Sequence, residues 1–91
     1  MQKRYVMNTQ TEHRRINVIA REIVKDWGPK MYFGAKPYVN AMLTLGTIED
    51  KYGFDDGKSI VLYFLANASS WRGETAKRIK AELKQICGAK G

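Results

Sequence analysis

Ser59-Ile60-Val61-Leu62-Tyr63-Phe64-Leu65-Ala66-Asn67-Ala68-Ser69-Ser70-Trp71 is a run of thirteen residues without a formal charge, and its reading decides the fold. A short apolar run with β-branched residues fits a buried strand as well as a helix. The helix is favoured because the pattern continues through Ala66, Asn67 and Ala68 without a turn signal, and Ile60, Val61, Phe64, Leu65 and Ala68 make one helical stripe. Leu62 and Tyr63 widen that stripe, which predicts a central helix touched by several others. Asp55 or Asp56 is placed to cap it, with acidic charge at the positive end of the helix.

Outward from this run, the hydrophobic spacing predicts three more helices. Upstream, Pro37 suits a first helical turn, and Tyr38, Ala41, Met42, Leu45, Ile48 and Tyr52 form an inner face that runs to a stop at Gly53. Gly46 lies inside this helix at a cost of about 1 kcal/mol relative to alanine, so a kink or break is expected there. Residues 30–36 read as a loop or short turn. Before them, Ile16, Ile19, Ala20, Ile23, Val24 and Trp27 recur at i, i+3, i+4, i+7, i+8 and i+11, with Thr9 and Glu12 at capping-box spacing and Gly28-Pro29 as the stop. Downstream, a last helix begins near 69–73, turns Ala76, Ile79, Leu83 and Ile86 inward and closes at Gly88. The expectation is an all-α, compact four-helix single domain over residues 1–91, with 1–9 a flexible or extended N-terminal arm. A chain of 91 residues buries roughly 60–65% of its unfolded surface, an adequate core without excess.

Charge is distributed unevenly. Residues 1–36 hold eight basic and three acidic side chains, 37–70 two and four, and 71–91 six and two, within a net charge of +7. Two cationic flanks around a near-neutral centre favour anionic partners. The N-terminal stretch lacks an apolar run long enough for a signal peptide, and the run from Ile60 to Ala68 falls short of the about 20 residues a membrane span needs. A reducing, cytoplasmic location without membrane association is expected. The single cysteine, Cys87, has no disulfide or zinc partner within the chain and reads as a small apolar residue at a helix end.

No enzymatic pattern emerges. Gly53-Phe54-Asp55-Asp56-Gly57-Lys58-Ser59 suggests a phosphate loop, but the Walker pattern has four residues between its glycines where this stretch has three, and two aspartates would repel a phosphate. Asp50, Asp55 and Asp56 lack the alternating spacing and terminal glutamate of a calcium loop. His13 is the only histidine and has no nucleophile placed beside it in a motif. Glu49 with Asp50, and Asp55 with Asp56, read as solvated helix ends. No catalytic residue, metal or cofactor is expected, and the protein is not read as an enzyme.

The basic residues carry the stronger signal. Lys77, Lys80 and Lys84 fall at i, i+3 and i+7 on the last helix, with Arg72 toward its start; Arg14, Arg21 and Lys25 fall at i, i+7 and i+11 on the first. Two such stripes side by side could track a phosphate backbone; the competing reading is a pair of solubilising faces offset by Glu22, Glu74 and Glu82. Around Tyr32 and Phe33, cations and aromatics interleave from Lys30 through Lys36 to Tyr38, which suits base stacking or, alternatively, a core plug under a loop. Trp71 is either a partner anchor or buried against Trp27 and Phe64 with Arg72 near its ring. Asn40 and Asn67 need hydrogen-bond partners if buried. The helix after Tyr52-Gly53-Phe54-Asp55 is too apolar to read base edges as a helix-turn-helix would.

The blocks Lys36-Pro37-Tyr38-Val39-Asn40-Ala41-Met42, Ile48-Glu49-Asp50-Lys51-Tyr52-Gly53, Ser59-Ile60-Val61-Leu62-Tyr63-Phe64-Leu65 and Trp71-Arg72-Gly73-Glu74 resemble small uncharacterised accessory proteins of tailed bacteriophages. They lie within 36–74, under half of the chain, and bring no catalytic residues with them. The resemblance implies a protein that acts stoichiometrically on host machinery, a defence complex or nucleic acid. The expected function is therefore binding to nucleic acid or a nucleoprotein complex, such as a host defence nuclease, through Arg14, Arg21, Lys25, Arg72, Lys77, Lys80 and Lys84. The alternative is a protein-interaction module, a homodimer or a binder of a host protein, anchored by Tyr32, Phe33 and Trp71. A third reading is a sponge for an anionic signalling nucleotide.

Overall fold

The first helix, α1 (Ile16–Trp27), forms where the sequence places its apolar stripe, and buries Ile16, Ile19, Ala20, Ile23 and Trp27. Val24, at the edge of that stripe, is exposed, contrary to expectation. These positions belong to a computed structural model that describes residues 13–88; the capping box at Thr9 and Glu12 and the arm over 1–9 lie outside the described residues. Arg15 occupies the N-cap without a side-chain cap. Instead, the Ile16 and Asn17 amides donate to the carbonyls of Gly46 and Leu45, both at 2.9 Å, which satisfies donors that the first helical turn leaves free.

The second helix is shorter than expected. It begins after two 3-10 turns, Gly28–Lys30 and Phe33–Ala35, and α2 spans Lys36–Met42 rather than continuing to Tyr52. The Thr44 hydroxyl bonds back to the Ala41 carbonyl at 2.7 Å, and the carboxylate of Asp50 accepts the amides of Gly46 and Thr47 at 2.7 and 3.1 Å. Those bonds wind residues 43–50 into a loop whose carbonyls serve other elements. Leu45 is still buried and Ile48 packs on the core, but Tyr52 is exposed.

Residues once expected in the helix continue instead as an antiparallel hairpin, β1 (Lys51–Tyr52) with β2 (Asp55–Asp56), in the register Lys51↔Asp56 and Tyr52↔Asp55. Gly53, at φ +66°, turns this hairpin rather than stopping a helix, as glycine does at the first position of a two-residue loop. Phe54 at the tip is fully exposed.

The charge-free run is helical: α3 covers Gly57–Ala66 and buries Ile60, Val61 and Phe64. Asp56 caps it, accepting the Ser59 amide at 2.8 Å, as its sequence position suggests. Leu62 and Tyr63 are exposed and do not widen the buried stripe, while α3 meets α2, β2 and α4 and sends Phe64 to Trp27 of α1. The last helix, α4 (Glu74–Ile86), follows Gly73 and buries Ala76, Ile79 and Leu83. Among the described residues the fold is thus mostly α, with four α-helices and one small hairpin. No described helix is long and apolar enough to cross a membrane.

The core closes on an aromatic cluster. Trp27 and Trp71 stack at 5.5 Å and 14°, and Phe64 meets each of them edge-on at 6.3 and 6.2 Å. The Trp71 indole N–H donates to Asp26 at 2.9 Å, which satisfies its one polar atom. Cys87 is buried at the end of α4, and desolvation pushes its thiol above the ordinary range.

Candidate nucleic-acid interface

Packing decides which cations are free. Arg14 precedes α1 rather than lying on it, so the expected stripe of Arg14, Arg21 and Lys25 is not a single helical row. Its guanidinium spans two helices: Nε and Nη2 grip both carboxylate oxygens of Glu82 on α4 at 2.9 and 2.7 Å, and Nη1 holds Glu22 on α1 at 2.9 Å. Arg78 takes the other Glu22 oxygen. The guanidinium of Arg78, then that of Arg14, keeps the Glu22 carboxyl below the ordinary range, and the bonds to Glu82 and Glu22 raise the pKa of Arg14. Arg14 is therefore structural in this arrangement, clamping α1 to α4.

Arg78 and Glu82 mark the edge of α4 that faces α1. At about 100° per residue, Lys77, Lys80 and Lys84 lie on the opposite flank of the same helix. The two expected stripes are thus not parallel rows on adjoining faces. Arg21, Glu22, Lys25 and Asp26 line a shallow groove with Thr75; Asp26 also lines the next groove, with Trp27, Lys30, Ser70, Trp71 and Arg72. From Arg72 the positive band continues to Lys80 and Lys84: the Lys80 ammonium is held below its ordinary pKa first by desolvation, then by repulsion from these two neighbours. Its Nζ donates to the Trp71 carbonyl at 2.7 Å and lies 6.0 Å from that indole centroid. Lys80, not Arg72, is the cation at Trp71.

Among the described residues the ion pairs are those of Arg14 and Arg78 with Glu22 and Glu82. Arg21, Lys25, Arg72, Lys77 and Lys84 stand exposed, and form no ion pair with any described residue. Lys30 completes the band where its two halves meet. It was not among the expected contact residues, although the interleaved cations and aromatics beginning at Lys30 were the signal that could have found it.

The expected aromatic anchors separate. Trp71 is 2% exposed, so it is a core residue and not a partner anchor; its stacking on Trp27 and bond to Asp26 account for its burial. Tyr32 and Phe33 are exposed, at 45% and 75%, and touch each other with ring centroids 5.1 Å apart. The hairpin adds Tyr52 and Phe54, which sequence periodicity had assigned to a helix and its end. Asn67 bonds the Tyr63 carbonyl at 2.9 Å, and Asn40 is exposed. His13 is exposed and borders a cleft of about 500 Å³ with Arg14, Arg15 and Glu49. Among the described residues no three His, Cys, Asp or Glu side chains gather where they could hold a metal ion.

No known protein family, curated protein or solved structure matches this chain.

Proposed function

We propose that this protein is a small stoichiometric binding protein of the phage-accessory type that engages nucleic acid, alone or within a host nucleoprotein complex such as a defence nuclease. In this reading it performs no catalysis. The observation that carries it is the selective pairing of cations: Glu22 and Glu82 neutralise Arg14 and Arg78, while Arg21, Lys25, Lys30, Arg72, Lys77 and Lys84 form no ion pair with a described residue, and we read them, with Lys80, as one cationic band. Such a band contacts phosphates without reading bases, and binding releases condensed counterions.

The test is a fluorescence-anisotropy titration with short single- and double-stranded DNA and RNA at about 50 and 200 mM salt. Five phosphate contacts would weaken binding roughly 100-fold or more between those conditions, at a slope of about −0.9 per phosphate. Lys77→Glu with Lys84→Glu should nearly abolish binding. Affinity that ignores salt, or no affinity at the lower salt, overturns the proposal. The alternative of a protein-interaction module or homodimer draws on the fully exposed Phe54 beside Tyr52; a dimeric mass that Phe54→Ser returns to a monomer would favour it.

A further inference from the structure

We infer that the strand bound by this band is single-stranded, because the band ends on Tyr32 and Phe33, which form a stacking platform for unpaired bases. This inference rests on the nucleic-acid reading above. Three observations carry it. Phe33 is 75% exposed and Tyr32 45%, so the core does not explain either ring. Phe33 lies three residues beyond Lys30, at most about 11 Å along the chain, and Lys30 shares a groove with Arg72. No acidic residue occurs between Asp26 and Glu49, whereas Lys30 and Lys36 flank the two rings.

The platform is also held in shape. A Cβ at Gly34 would come within 2.5 Å of Tyr32 Cε2, so glycine there leaves the space the ring occupies. The two rings are tilted at 55° to each other, offering faces in different directions and not one flat wall. Aromatic faces stack on any base, and in a duplex those base faces are already covered by their neighbours. The hairpin aromatics provide an internal contrast. Tyr52 and Phe54 are as exposed as the platform, but Asp55 and Asp56 beside them repel phosphate.

The experiment measures anisotropy of single-stranded and duplex oligonucleotides with the full chain, together with the fluorescence of a 2-aminopurine placed in the single strand. Tyr32→Ala with Phe33→Ala should weaken single-strand binding by roughly 5- to 150-fold per stacked base, leave duplex affinity unchanged and remove the quenching of 2-aminopurine. Phe33→Trp should retain both affinity and quenching, and Phe54→Ala should change neither. Equal loss on both kinds of strand, or no loss with the double variant, overturns the platform while leaving the cationic band standing. If the unaltered protein binds neither strand at low salt, the nucleic-acid reading falls and the platform with it. Circular dichroism of each variant confirms that the fold is intact.

Discussion

At Gly57 a single hydrogen atom decides whether two segments can meet. A Cβ there would lie 2.8 Å from Ile48 Cα and 2.9 Å from the carbonyl oxygens of Thr47 and Ile48, all of them backbone atoms. Gly57→Ala should therefore destabilise the protein by about 1–3 kcal/mol, through overpacking that side-chain movement cannot relieve. Gly46→Ala is the informative comparison. Its nearest obstacle, at 2.3 Å, is the exposed Arg15 guanidinium, the far end of a flexible side chain, so the loss should be the smaller of the two. Thermal melts of both variants, at roughly 4–8 °C per kcal/mol, check the order, and equal losses would refute it. The sequence showed Gly57 only within an incomplete phosphate-loop pattern and not the reason for it, because Ile48 is nine residues away. Asp56 was legible as a cap for the opposite reason: its partner, the Ser59 amide, lies three residues on.

The stripes of α1 and α4 were readable because one face of each is buried against the rest of the protein, and periodicity reports that directly. The end of α2 was not readable. Leu45 and Ile48 continue a helical pattern and do pack inward, yet the backbone there leaves the helix to serve α1 and α3. Likewise, sequence spacing placed Arg14 among the free cations, since its partner Glu82 lies 68 positions away. The clamp between α1 and α4 has a measurable pH signature. Glu22 is held below its ordinary value of 4.5 by Arg78 and then by Arg14, so its stabilisation is complete above that pH and is lost as pH falls through the lower, folded-state value. Glu22→Gln should lower stability at neutral pH by no more than about 1 kcal/mol, since the pair is partly exposed, and flatten the loss of melting temperature on acidification below about pH 4.5. The same substitution removes a negative charge and frees Arg78, while Glu82 still holds Arg14, and should tighten nucleic-acid binding. A variant that is less stable yet binds more tightly separates the clamp from the band; parallel losses would count against that separation.

Across the whole molecule, the uneven distribution of charge was legible in composition, and Arg21, Lys25, Lys30 and Arg72 line two grooves that share Asp26, the centre of the proposed band. The path of that band was not legible, because it depends on α4 turning Lys77, Lys80 and Lys84 away from α1 and on the 3-10 turn at Gly28–Lys30 bringing Lys30 beside Arg72. Long-range order of another kind resides in the loop over 43–50. Its carbonyls receive the Ile16 and Asn17 amides of α1 and the Gly57 and Lys58 amides at the start of α3. Two helices that begin 41 positions apart in sequence therefore share a single clasp. Neither helix start can exchange these amide hydrogens with solvent until the clasp lets go, so all four should exchange through one common opening, with the same free energy and the same denaturant dependence. Native-state hydrogen exchange would resolve this, and four unrelated opening energies would refute it. Under that clasp, fraying at the front of α1 becomes inseparable from fraying at the front of α3, and a disturbance at one is registered at the other.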